Sequence, residues 1–202
     1  MFTGIIRNMG KIIAISAQNT NRIFEISARF DEPIRIDQSI AHNGVCLTVT
    51  ALQEMPDESV QYSVTAVKET LDKTDLGTWE VGQKVNLELC MRPNDRLDGH
   101  FVQGHVDTVG KVAEIAEVGG SWLFTFIFPQ EYAALLVDKG SITISGVSLT
   151  VIKAEMDSFK VTIIPYTYEN TFFHQLKIDS SVNLEFDILG KYIQRIQETR
   201  KE

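Results

Sequence analysis

Apolar and polar side chains alternate along most of this chain with a period of two. Phe24, Ile26, Ala28 and Phe30 are separated by Glu25, Ser27 and Arg29, and Val60, Tyr62, Val64 and Ala66 alternate in the same way, as do Val85, Leu87 and Leu89. Further along, Trp122, Phe124, Phe126 and Phe128 share one face of a run, and Phe159, Val161 and Ile163 one face of another. A strand turns successive side chains to opposite faces, so each run predicts a β-strand buried on one side. Gly, Asn, Asp and Pro punctuate the runs at the spacing of a sandwich or barrel, and closing the sheet removes the unpaired edges of many short strands. Helical signals are few. Residues 65–76 and 165–175 each predict a short helix after a strand. At the end of the chain Leu189, Tyr192, Ile193 and Ile196 fall at i, i+3, i+4 and i+7, with Lys191, Arg195 and Glu198 off the stripe, which predicts an amphipathic helix over 189–202. Such a stripe covers either a core or a neighbouring subunit.

The chain contains itself twice. Asn43-Gly44-Val45-Cys46-Leu47-Thr48-Val49 returns 102 residues later as Ser145-Gly146-Val147-Ser148-Leu149-Thr150-Val151, and Ser39 matches Ser141 at the same distance. Gly4, Gly10 and Lys11 match Gly104, Gly110 and Lys111, and Val85-Asn86-Leu87-Glu88 returns as Val182-Asn183-Leu184-Glu185. Three blocks in one order, with offsets that drift by a few residues, are what loop-length changes leave in a duplicated domain. Two copies of roughly 90–100 residues are too long and too few for a solenoid. The expected organisation is all-β: two tandem barrels over 1–95 and 96–188, joined near Arg92-Pro93-Asn94-Asp95, and a terminal helix over 189–202.

Composition narrows the function. The 202 residues are 44 % hydrophobic and 23 % charged, which is globular and excludes disorder. Nineteen Lys and Arg against 27 Asp and Glu leave a net charge of −8, so no nucleic-acid partner is expected. The start of the chain shows no basic segment leading into an apolar run, and no stretch approaches the ~20 apolar residues of a membrane helix. A soluble, cytoplasmic protein is expected, with Cys46 and Cys90 reduced.

The common constellations are missing: no phosphate-binding loop, dinucleotide fingerprint, nucleophile elbow or zinc-binding helix occurs. His100 and His105 stand five apart, on opposite faces of any strand, so no metal site is expected. His42 and His174 are expected at the surface or in loops. The differences between the copies are more informative. Ile5 becomes His105, Cys46 becomes Ser148, Cys90 becomes Asp187 and Asp37 becomes Lys139. Titratable groups thus collect in the second copy. This suggests a division of labour in which one copy holds a ligand and the other holds a similar ligand and handles protons.

At these residues the sequence resembles the alpha chain of the riboflavin synthase family. Met1-Phe2-Thr3-Gly4-Ile5 resembles the family's opening. His42-Asn43-Gly44-Val45-Cys46-Leu47-Thr48-Val49 and Gly146-Val147-Ser148-Leu149-Thr150-Val151 resemble its two signatures, and Gly99-His100-Phe101-Val102-Gln103-Gly104-His105-Val106-Asp107 the opening of its second barrel. Lys68-Glu69-Thr70-Leu71 also fits. The resemblance implies two closed six-stranded barrels, a C-terminal helix and a homotrimer held by those helices. It implies a reaction between two molecules of 6,7-dimethyl-8-ribityllumazine, one giving a four-carbon unit to the other, with no metal or redox cofactor. It places each site between the first barrel of one subunit and the second barrel of a neighbour. Association with a lumazine synthase is a further partner that the sequence does not decide.

Carried over by position, the first pocket takes Gly4, Ile5, Ile6, Cys46, Leu47, Thr48, Thr65, Ala66, Val67, Lys68, Glu69 and Thr70. The second takes Gly104, His105, Val106, Lys139, Ser148, Leu149, Thr150, Ile164, Pro165, Tyr166 and Thr167. The expected catalytic set is His105, Ser148, Asp187, Cys46 and Ser39. His105, with a reference pKa near ~6.5, is the expected proton shuttle, Ser148 and Asp187 its partners, and Lys139 a group to stabilise a developing anion. Tyr166 departs from the Glu of some members, and Val45 stands where some carry a second Cys. The alternative is a non-catalytic lumazine- or flavin-binding protein of the same fold. The intact set His105, Lys139, Ser148 and Asp187 favours the enzyme.

Overall fold

In the computed structural model, which describes residues 1–200, the chain forms two closed antiparallel barrels. The first comprises β1 (Asn8–Gln18), β2 (Asn21–Ala28), β3 (Ser39–His42), β4 (Val45–Glu54), β5 (Val60–Ala66) and β6 (Lys84–Leu89). They run in the order β1-β2-β5-β4-β3-β6 and back to β1. The second comprises β7 (Thr108–Val118), β8 (Ser121–Ile127), β9 (Ser141–Ile144), β10 (Val147–Ala154), β11 (Ser158–Ile163) and β12 (Ser181–Phe186), closed in the same cyclic order. Bulges fall at matching places: between Ile12 and Ala14 and between Val112 and Glu114, then between Val49 and Ala51 and between Val151 and Lys153. A bulge bends its strand and increases the local twist, which helps six short strands curl shut.

The inward side chains fill both lumens. Ile12, Phe24, Ile26, Val49, Val64 and Leu87 are buried in the first, and Phe124, Phe126, Phe159, Val161 and Leu184 in the second. His42, expected at the surface, is a correction: it ends β3 pointing inward, fully buried, with Nε2 2.9 Å from the Tyr62 hydroxyl. The expectation erred because the parity of β3, which buries Ile40, also buries His42. His174 is exposed.

The two expected mid-domain helices are shorter than their sequence signal. Thr65 and Ala66 finish β5, α1 covers Lys68–Lys73, and a 3-10 turn follows at Asp75–Thr78. The second copy repeats this with α2 (Pro165–Asn170) and a 3-10 turn at Phe172–Gln175. A threonine interrupts each helix. Thr74 Oγ1 donates to the Thr70 carbonyl and accepts from Leu76 N–H, and Thr171 Oγ1 does the same with Thr167 and Phe173. The chain ends with α3 (Ile188–Thr199); residues 201 and 202 of the expected helix lie outside the described residues.

The barrels meet through reciprocal contacts. Asn86 Nδ2 donates to the Ser145 carbonyl while its Oδ1 accepts from Phe172 N–H; Asn183 Nδ2 donates to the Asn43 carbonyl while its Oδ1 accepts from Asp75 N–H. Gly44 and Gly146 face each other on this approximate two-fold. A Cβ on Gly44 would come within 2.7 Å of Gly146 N, and both glycines have positive φ. A side chain at either place would push the barrels apart.

Candidate active site

The outward faces of β4-β3-β6 and β10-β9-β12 carry the candidate chemistry. Register sets Cys46, Ala41 and Glu88 side by side across three strands, and Ser148, Thr143 and Glu185 at the equivalent places in the second barrel. Residues directly opposite one another share a face of the sheet. Ser39 lies opposite Thr48, and Cys90 donates its S–H to the Ser39 carbonyl at 3.3 Å, so Cys46, Ser39, Thr48 and Cys90 gather on one surface. In the second barrel Thr150 lies opposite Ser141, with Ser148 beside them. Leu47 and Leu149 alternate to the other face and pack on the barrel cores. Burial pushes the Cys46 thiol above its usual range. The Ser39 hydroxyl and the N-terminal amine oppose that shift, while Cys90 and Glu185 add to it. At neutral pH Cys46 is a thiol.

The residue that sequence reasoning missed is His100. It is only 9 % exposed, with Nδ1 2.7 Å from Ser148 Oγ and Nε2 3.2 Å from Thr143 Oγ1. Burial lowers its pKa, and the charge of Asp187 opposes this. A neutral imidazole has one donor and one acceptor nitrogen, so Ser148, His100 and Thr143 form a chain along which a proton can pass. Strand parity was no guide here, because residues 100–107 form an irregular segment apart from a single bridge at Val102. Comparison of the copies was silent too, since the counterpart of His100 would precede residue 1.

The other expected residues are placed as follows. His105 is exposed; its N–H donates to Glu185, and its imidazole makes no hydrogen bond among the described residues. Asp187 caps α3, its Oδ1 accepting from Leu189 N–H at 3.0 Å. Lys139 is exposed and keeps the left-handed backbone of its counterpart Asp37. Val67, Lys68 and Glu69 are exposed, and Lys68 and Glu69 pair with Asp72 and Lys73 along α1, where such surface pairs contribute little. Thr70 lends its carbonyl to Thr74. Ile164, Pro165 and Tyr166 are exposed, Tyr166 by 72 %, and Thr167 offers its carbonyl to Thr171.

The segments that open each copy cross over. Phe2 and Val102 pair as an antiparallel bridge. The Gly4 carbonyl accepts from Ser148 N–H at 2.8 Å, and the Gly104 carbonyl from Cys46 N–H at 2.9 Å. Ile6 packs on the second core and Val106 on the first. Both glycines have positive φ, and a Cβ would fall 2.5 Å from Ser148 Cβ at Gly4 and 2.6 Å from Cys46 Cβ at Gly104. Each segment thus touches both barrels, although copy-by-copy assignment gave Gly4, Ile5 and Ile6 to one pocket and Gly104, His105 and Val106 to the other. Two clefts flank the outward faces. One, of about 280 Å³, is lined by Thr3, Arg7, Glu88, Cys90 and Arg92 among others. The other, of about 360 Å³, includes Ser141, Asp187, Leu189 and Ile193. Cys46 and Ser148 are half-buried and line neither.

Residues 3–90 and 103–187 each match the family model of the lumazine binding domain, so the chain is a tandem of two such domains. It is 41 % identical over 196 residues to the riboflavin synthase of Actinobacillus pleuropneumoniae, covering 96 % of this chain and 89 % of that one. It is 36 % identical over 202 residues to the riboflavin synthase of Brucella abortus (strain 2308), over the whole of both. In fold it is similar to LumP, whose crystal structure in complex with riboflavin superposes with a TM-score of 0.78 at 24 % identity, over 92 % of this chain and 99 % of that one. The chain belongs to the riboflavin synthase family.

Proposed function

We propose that this chain is a riboflavin synthase. It converts two molecules of 6,7-dimethyl-8-ribityllumazine, by transfer of a four-carbon unit from one to the other, into riboflavin and 5-amino-6-ribitylaminouracil. The observation that carries this reading is the paired outward surface: one chain holds two equivalent rows, around Cys46 and around Ser148, for two copies of one compound. In this reading 1–95 and 96–188 are the two lumazine-binding domains, and the complete site forms between the first barrel of one subunit and the second barrel of another. The exposure of Thr48 and Thr150, beside Cys46 and Ser148, supports that arrangement. So does α3, whose Leu189, Tyr192, Ile193 and Ile196 are uncovered and suit contact between copies of a cytoplasmic homotrimer.

Most of the rate comes from positioning. Holding two flat heterocycles face to face makes their encounter unimolecular, an advantage of up to roughly 7–11 kcal/mol. Proton transfer supplies the rest, since a ring methyl must lose a proton, and acid–base groups typically add ~10²–10⁴-fold. In this reading Ser148, backed by His100, passes that proton, and the exposed His105 is the candidate shuttle to solvent. Cys46, with Ser39 beside it, lines the opposing half-site.

The test is incubation of the purified protein with 6,7-dimethyl-8-ribityllumazine as the sole substrate. Riboflavin and 5-amino-6-ribitylaminouracil should appear in equal amounts. Tight binding of an unconverted lumazine would make the chain a carrier instead.

A further inference from the structure

Two buried carboxylates take no part in the chemistry above, yet each holds a backbone segment that bonds to the other barrel. Glu185 is 3 % exposed on β12 of the second barrel, and it accepts from the N–H groups of Gln103, Gly104 and His105 at 2.6, 2.9 and 2.9 Å. Successive N–H groups converging on an anion hold the backbone in one conformation. The carbonyl of that same Gly104 accepts from the N–H of Cys46, in the first barrel. Glu88 is the mirror image: it accepts from Thr3 N–H, Thr3 Oγ1 and Gly4 N–H, and the Gly4 carbonyl accepts from Ser148 N–H in the second barrel. We propose that Glu185 is a positioning residue for Cys46, acting across the barrel interface through the backbone of residues 103–105, as Glu88 is for Ser148. This rests on the reading of Cys46 as part of the lumazine half-site.

The link is electrostatic as well as mechanical. The groups that bear on the Cys46 thiol are the Ser39 hydroxyl, Cys90, the N-terminal amine and, from the other barrel, the Glu185 carboxylate, which favours the thiol over the thiolate. Binding or chemistry at one barrel's surface is thereby felt at the reactive position of the other. The two half-sites of one chain are not independent.

Alkylation of Cys46 by iodoacetamide, followed against pH in the full chain and separated from Cys90 by peptide mass, tests this whether or not the protein turns lumazine over. Glu185→Gln should lower the pH midpoint of Cys46 alkylation, because a nearby anion is gone. Glu88→Gln, which loses a buried carboxylate of the same barrel that is not among the groups bearing on the Cys46 thiol, should leave that midpoint at the wild-type value. Glu185→Asp, with the charge kept but drawn back by one methylene, should leave the midpoint unchanged and raise the limiting rate. An unchanged Glu185→Gln profile, or an equal shift in Glu88→Gln, would overturn the proposal. If these variants do not fold, hydrogen exchange of the wild-type protein decides. The Cys46 amide should exchange together with those of Gln103, Gly104 and His105, and independent exchange would overturn the proposal.

Discussion

The hydroxyl of Ser148 meets His100 Nδ1 at 2.7 Å, and removing it leaves the imidazole with Thr143 alone. Ser148→Ala should therefore lower kcat and kcat/KM by the same factor, about 100-fold, with riboflavin affinity by fluorescence titration unchanged. Unequal effects, with KM alone raised, would make Ser148 a binding group. At the matching place in the first barrel, Cys46→Ser installs the residue the second copy already uses. Steady-state kinetics should show a fall in kcat of less than about tenfold, or roughly 1.4 kcal/mol. The equivalence of Cys46 and Ser148 was legible because both lie inside a repeated block. The partner of Ser148 was not, because His100 lies in an irregular segment whose side-chain directions no local period sets. His42 was misplaced for a related reason: a polar residue in a four-residue strand reads as surface until Tyr62, brought from β5, supplies its hydrogen bond.

Among the elements, the strands follow their alternation closely, and the helices follow theirs only in part. Threonines that bond back to the preceding turn divide the mid-domain helical signals into α1 or α2 and a 3-10 turn. In α3 the stripe forms as expected, but little of it is covered. The helix is tied to its own barrel near its start, by Gly190 against Leu135 and by Lys191 Nζ on Asp107 at 2.6 Å, while Leu189, Tyr192, Ile193 and Ile196 stay exposed by 49–66 %. These four exposed apolar side chains are the basis for the proposed contact between copies. Removal of residues 189–202 should give a monomer by sedimentation, with turnover lost or much reduced and ligand binding retained. A truncated chain that still sediments as a trimer would take α3 out of that role.

For the molecule as a whole, the contact between barrels has a pH-sensitive member. Asp75 is buried there, its Oδ1 accepting from Asn183 Nδ2 and Trp79 Nε1, and burial raises its pKa from 3.8 to about 7 despite these bonds. The folded state then holds a proton that the unfolded chain releases near pH 4. Stability from this group is present below pH 4 and is lost as pH rises through about 7. His42 has the opposite sign: burial lowers its pKa from 6.5 to about 4, so its contribution is lost as pH falls through that range. The difference between the wild type and Asp75→Asn isolates the first effect. The variant should gain in Tm on the wild type as pH rises from 5 to 8, by thermal unfolding, and a constant difference would show that Asp75 does not titrate in this window.

The strands, the duplication and the family were written in local order: a period of two, turn residues at fixed places, and blocks repeated about one domain apart. Such features need only near neighbours to act, so the sequence by itself determined them. Which surface carries the proposed chemistry was decided by tertiary structure. Large apolar side chains fill both lumens, leaving only the outward faces for Cys46 and Ser148. The crossing of the opening segments, the burial of Asp75 and the asparagine bonds join residues far apart in the chain, as many as 140 positions for Asn183 and Asn43. They exist only once two closed barrels meet, because each supplies partners for polar groups that the other buries.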